Sequence, residues 1–257
     1  MRRPSKPGVR VSILVLSCVI TLLAAPVRAQ NASDPPDTPE ELVSRAKSLS
    51  LLRQGRFDDL DHKMNGLQRS YELGKLGDER LMHEFRAFYD TDAALEVQYN
   101  AWITKFPGSY AAHLARGIYY RYLGNQARGD RFISATSRQQ LDLMAVYTGK
   151  AMPDYDTSLT LTQKPLISYH AILGVAMLDG DDELAKKMLD ESVRVDSRNF
   201  FVRYKYLATL QTRWGGSLRQ MIDFEQEARA AGLSEGQLKY FANMIAVERN
   251  WLKQHGR

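Results

Sequence analysis

Apolar side chains recur along most of this chain at every third or fourth position. Leu60, Met64, Leu67 and Tyr71 form one such stripe, Leu81, Phe85 and Phe88 another, and Leu95, Tyr99, Trp102 and Phe106 a third. A period near 3.6 places each stripe on one face of a helix and requires that face to be buried against a neighbour. No convincing run alternates with period two, so the pattern leaves no room for a sheet. Start signals precede the stripes. Thr38, Pro39 and Glu41 form one capping box, and Ser137 with Gln140, Ser217 with Gln220 and Ser234 with Gln237 repeat its spacing. Gly55, Gly77, Gly124, Gly180 and Gly232 read as stops.

These marks predict about eleven helices, roughly 39–54, 57–74, 78–90, 92–105, 109–123, 137–149, 165–179, 181–195, 199–213, 217–231 and 234–253. Most connections are short, so successive helices should pair antiparallel as hairpins. Two pairs carry the grammar of tetratricopeptide (TPR) repeats. In the first, Gly55 ends one helix and Phe57 opens the next. In the second, His170, Leu173 and Gly174 lie on one helix, Gly180 makes the turn, and Leu184, Ala185, Ser192 and Asn199 follow. The small residues Gly174, Ala185 and Ser192 are expected to let backbones approach. Residues 125–135 and 153–164 read as irregular loops. The expected fold class is therefore all-α, a degenerate TPR-like helical-hairpin stack.

The N-terminus has a different character. Arg2, Arg3, Lys6 and Arg10 precede an apolar run from Val11 to Ala25, which Pro26 ends after fifteen positions. A membrane-spanning helix wants about 20 apolar residues, so the run is too short for an anchor and fits a signal peptide of residues 1–29, cleaved after Ala29. A lipobox reading around Cys18 fails because the apolar run continues beyond it. Residues 30–38 form a polar, proline-broken leader and 39–257 the helical domain, which places the protein in the periplasm or outside the cell. The membrane then matters only through the transient signal.

Cleavage also changes the charge. The whole chain has 35 Lys and Arg against 30 Asp and Glu, and residues 1–29 contain five bases and no acid, so the mature chain is balanced at 30 of each. Such a balance argues against a nucleic-acid partner. Cys18, the single cysteine, leaves with the signal, which removes any disulfide or thiolate chemistry. The five histidines, His62, His83, His113, His170 and His255, form no ligand-spaced pair, and no metal or cofactor is implied. His113 and His170 read as hydrogen-bonded core residues. The acidic string from Asp179 to Glu183 lacks the ligand spacing of a calcium loop. Ser44 and Lys47 match a serine-hydrolase spacing without its partner motifs. Glu191 followed by Ser192 matches the dipeptide at the catalytic glutamate of lytic transglycosylases, without the motif expected after it. No catalytic residue is assigned on this basis.

Two aromatic clusters remain, around Tyr119, Tyr120 and Tyr122 and around Phe200, Phe201, Arg203, Tyr204 and Tyr206. Adjacent residues on a helix point in different directions, so part of each cluster is core and part is free. Tyr120, Arg203 and Tyr204 are the candidates for a concave groove that holds a protein or peptide segment. Trp214, Gly215, Gly216 and Ser217 read as a structural turn, with Ser217 as N-cap.

The stretch from Phe106 through Ser109, Tyr110 and His113 to Gly117, the later Ala127, Arg128 and Gly129, and the run Arg213 to Ser217 together resemble the bacterial family of unknown function numbered four-zero-three-four. The resemblance covers roughly Leu49 to Gly232. Where that family often has a tryptophan shortly before Ala-Arg-Gly, this chain has Asn125 and Gln126. The resemblance implies a TPR-like fold and no particular activity. Taken together, the expected function is an exported, non-enzymatic interaction scaffold of the bacterial envelope; the alternatives are a cell-wall or polysaccharide enzyme with an acidic catalytic residue, or a structural subunit of an envelope assembly. N-terminal sequencing of the protein recovered from an envelope fraction should begin at Gln30, and recovery with Val11 to Ala25 attached would contradict the export reading.

Overall fold

The computed structural model describes residues 38–130 and 135–255; the expected signal peptide and nearly all of the leader lie outside the described residues. Four helix starts are the ones the capping residues Thr38, Ser137, Ser217 and Ser234 mark. Thr38 accepts from the Glu41 amide while Glu41 accepts from the Thr38 amide at 2.8 Å, and Pro39 opens α1 (Pro39–Arg53). After it come α2 (Phe57–Glu72), α3 (Asp78–Phe85), which tightens into a 3-10 turn at Arg86–Tyr89, α4 (Leu95–Lys105) and α5 (Tyr110–Arg128). The Ser137 and Gln140 box opens α6 (Arg138–Thr160). The remainder is α7 (Leu166–Asp179), α8 (Asp182–Val195), α9 (Phe201–Thr209), a 3-10 turn at Thr212–Trp214, α10 (Leu218–Ala230) and α11 (Glu235–His255). Eleven α-helices and no strand are present among the described residues, an all-α stack.

Two expected loops are helix in part, over residues 125–128 and 153–160. The first correction concerns Gly124, which lies inside α5: a β-carbon there would sit 3.3 Å from the Met144 carbonyl oxygen and from Tyr147 Cβ. The residue marks a close helix crossing, not a stop. The second concerns Pro153, inside α6. An interior proline removes one backbone bond and costs about 3 kcal/mol. Here the helix continues because Ala151, Asp154, Tyr155 and Ser158 are all buried on its inner face, and burying such a face outweighs local propensity. Gly77 also ends no helix; it is the N-cap of α3.

Four hairpins, α1 with α2, α5 with α6, α7 with α8 and α10 with α11, supply the pairing. The α5–α6 pair is antiparallel, with Gly117 beside Tyr155 at one end and the Arg128 carbonyl accepting from Gln140 at the other. Helix α7 is the hub. It packs against α3, α5, α6, α8 and α9, and every residue from Leu166 to Ala176 except Tyr169 is buried, as expected of a helix that is apolar all round. Aromatic rings fill the space on either side. Phe85, Phe88, Tyr99, Trp102 and Tyr119 interlock toward the N-terminal half, and Phe200, Phe201, Tyr204, Phe224 and Phe241 toward the C-terminal half. Gly174 is not a backbone-approach site: the space a β-carbon would take is filled by the Arg121 guanidinium.

Polar side chains stitch distant elements together at their ends. Asn65 accepts from the Ala111 amide at 3.1 Å, Glu72 from the Gln163 and Lys164 amides at 3.0 and 3.3 Å, Asp78 from the Phe200 amide at 2.6 Å, and Glu248 from the Thr212 amide at 2.9 Å. Each satisfies a backbone donor that a helix start or loop leaves without an intrahelical partner.

The turn from Trp214 to Ser217 is a compact instance of backbone crowding. Gly215 adopts φ 94° after the 3-10 turn, the Gly216 amide donates to the Gln211 carbonyl at 3.2 Å, and Ser217 caps α10 through the Gln220 amide. A β-carbon on Gly216 would lie 2.2 Å from the Leu210 carbonyl oxygen, a backbone atom that cannot swing aside. Gly216→Ala should therefore lower unfolding stability by about 1–3 kcal/mol, as overpacking does. Gly77→Ala, with nothing within 4 Å of its β-carbon, should stay within about 0.5 kcal/mol in the same urea titration.

Candidate functional site

The three groove candidates from the sequence are internal. Tyr120 is 6% exposed, and its hydroxyl donates to Glu96 at 2.9 Å while Lys150 bonds the same carboxylate at 3.0 Å. Arg203 is 5% exposed, with one nitrogen donating to the Ser197 carbonyl at 2.9 Å. Tyr204, 4% exposed, stacks on Phe200 at 5.3 Å between ring centres. A groove contact needs a side chain that a partner can reach, and these three are packed within the fold, so the concave-groove assignment is corrected. Half-buried Trp214 sits at the crowded turn with Gly215, Gly216 and Ser217. Glu191 lies on α8, ion-paired with Arg194 one turn on.

The two apolar-helix histidines differ from each other. His113 is bonded on both ring nitrogens, to Asp154 and to the Pro107 carbonyl, each at 3.0 Å. Hydrogen bonding to Asp154 raises its pKa above the ordinary value against the opposing effect of burial. His170, also buried, makes no hydrogen bond among the described residues, contrary to expectation. Burial, and then the charges of Lys205, Arg121 and Arg86, push its pKa well below normal.

A recessed polar surface lies elsewhere, at the corner where the α2–α3 loop, the α6–α7 loop and the α8–α9 loop meet. A cleft of about 500 Å³ opens there, lined by Tyr71, Asp78, Lys164, Arg194, Asp196 and Arg198 among others. Every one of these side chains comes from a helix end or a connection, which is why periodicity along single helices gave no sign of it. Asp196 accepts from the Tyr71 hydroxyl at 2.8 Å and from the Arg198 amide at 3.0 Å. Lys164 Nζ lies 6.0 Å from the centre of the Tyr71 ring. Asp78, which caps α9 through Phe200, has its pKa raised to about 6 by burial, assisted by the nearby charge of Asp196 and opposed by the backbone bond. Burial also raises the Tyr71 hydroxyl, with Asp196 adding to it. The cleft thus offers three cationic side chains and two carboxylates, the carboxylates held by bonds to backbone and tyrosine. Such an array can bind polar or charged groups of either sign, and Asp78 can exchange a proton near neutral pH.

With that geometry in view, the chain belongs to the family described as domain of unknown function (DUF4034), whose model matches residues 44–182, or 139 of the 257 residues. The match includes Tyr71, Asp78 and Lys164 but ends before Asp196 and before the Trp214 to Ser217 turn. No curated protein and no solved structure matches the chain.

The raised pKa of Asp78 makes a signed prediction. A carboxyl whose folded pKa lies above its ordinary 3.8 holds its proton more tightly in the native state, so it opposes folding as pH rises from about 4 to about 6. Asp78→Asn keeps an acceptor for the Phe200 amide and removes the titration. The stability of the variant relative to wild type, from urea midpoints at pH 4 and pH 7, should increase with pH; a difference that does not change would show that Asp78 titrates normally.

Proposed function

We propose that this chain is an exported, non-enzymatic scaffold of the bacterial envelope that holds a protein or peptide segment, and that the cleft between Asp78, Lys164, Asp196 and Arg198 is its contact surface. The observation that supports this reading most is the mixed-sign cleft built from three separate helix ends. Its carboxylates are already engaged in fixing the Phe200 and Arg198 amides and the Tyr71 hydroxyl. Groups held in this way are preorganised to recognise a partner, and little ordering entropy is lost when it binds. A segment carrying both a cation and an anion, or its own main-chain donors and acceptors, would complement the cleft. The balanced mature charge disfavours a polyanionic nucleic acid as that partner.

A second reading is supported by Asp78. A carboxyl with pKa about 6 beside a second carboxylate is the arrangement that acid-catalysed cleavage of a polysaccharide uses, and it would make the protein a cell-wall enzyme. The two readings separate experimentally. Processed protein purified from the envelope, cross-linked to its neighbours and identified by mass spectrometry, should yield a partner that the double variant Lys164→Glu, Arg198→Glu loses. Retention of the partner by that variant would remove the cleft from the proposal. Release of soluble sugar fragments from peptidoglycan, abolished in Asp78→Asn, would replace the scaffold with the enzyme.

A further inference from the structure

Away from the cleft, the inner side of the α5–α6 hairpin faces α7 with hydrogen-bond donors that nothing accepts. Tyr155 is fully buried over Gly117, where a β-carbon would meet its ring at 2.6 Å, and its hydroxyl has no partner. Arg121 follows Gly117 by one helical turn on α5. It is 6% exposed, its guanidinium lies against the α7 backbone at Gly174, and its Nε has no acceptor. No carboxylate stands within ion-pair distance of Arg121 among the described residues. This differs from Arg116, one turn earlier, which Asp154 holds through two bonds of 2.8 and 2.9 Å.

The surroundings add positive potential. His170, on α7 one turn before Gly174, lies within the electrostatic reach of Arg121, of Arg86 from the 3-10 turn after α3, and of Lys205 from α9. Positive side chains from three elements therefore act on His170, and with burial they hold its pKa down. An unpaired guanidinium nitrogen buried in a protein loses hydration that nothing returns, and an acceptor oxygen placed beside it would offset that cost. The absence of a side chain at Gly117 and at Gly174 supplies the room that Tyr155 and Arg121 occupy, so the arrangement is built into the two helices and not a chance of surface rotamers.

We propose that Arg121, Tyr155 and His170 form an oxyanion-binding site on the inner side of α7, with Arg86 and Lys205 contributing attraction. The ligand is a small group with acceptor oxygens, a carboxylate or a phosphate. Arg121 donates from its guanidinium edge, Tyr155 from its hydroxyl, and His170 gains a proton as the anion arrives. Because Arg121 and His170 are only 6% and 7% exposed, the site admits one carboxylate or phosphate group at a time. This inference is independent of the cleft, whose residues it does not share.

The test uses the full folded protein labelled with 15N and titrated at constant ionic strength with sodium phosphate, sodium acetate and an amidated hexaglutamate peptide. A binding anion should shift the Arg121 Nε–H resonance and raise the His170 pKa by about one unit or more. Arg121→Lys, which keeps the charge and loses the planar fork, should weaken the response about tenfold. A response to phosphate alone assigns the site to a phosphorylated small molecule, and one to acetate and more strongly to the peptide assigns it to a peptide carboxylate. If neither resonance responds to any of the three up to about 50 mM, or if Arg121→Lys binds as wild type does, the site does not exist. The wild-type titration decides the matter even if the variant fails to fold.

Discussion

Every helix start exposes backbone amides that the helix itself cannot satisfy, and in this protein many of them are satisfied by residues from another hairpin. Asn65, Glu72, Asp78 and Glu248 each accept from an amide at least 36 residues away in sequence. Apolar burial holds the helices together without directing them, because a greasy stripe can slide or rotate. An acceptor that must meet a particular amide removes that freedom. The stack is therefore indexed at its corners, and the corners are where the polar cleft forms. Asp78 and Asp196 line that cleft because they first fix the starts of α9 and of the loop before it.

The same bookkeeping applies to buried charge. Asp154 is buried and receives Arg116 through two bonds and His113 through a third. Glu84, equally buried, receives Lys63, Arg80 and Ser44, and these partners hold its pKa below the ordinary value against desolvation. At these two sites cations or hydroxyls surround the buried anion, as the low-dielectric interior demands. Arg121 departs from the pairing seen at Asp154 and Glu84: its Nε is buried without an acceptor, as is that of Arg203.

The helical character of the chain was legible because it depends on local spacing. The capping boxes at Thr38 and Ser137 and the left-handed Gly180 at the end of α7 act within a few residues of themselves. Errors arose where a local signal competed with packing. Gly124 and Pro153 carry the chemistry of helix ends, yet both sit within helices because a neighbouring helix needs a smooth surface at one and buried residues beyond the other. Tyr120, Arg203 and Tyr204 were misplaced for a related reason. A helical wheel tells which residues share a face but not how many faces are covered, and helices within a stack are covered on more than one.

By itself the sequence determined that the chain is helical and roughly where several of its helices begin; both follow from interactions that span one or two turns. Only the tertiary structure decided which side chains meet across hairpins. The convergence of Tyr71, Asp78, Lys164 and Asp196 into one cleft, and of Arg121, Tyr155 and His170 on one side of α7, joins residues separated by tens of positions. Their meeting depends on the order and angle of packing, set by the summed burial of many stripes and the matching of corner amides, and no periodicity along a single helix encodes that sum.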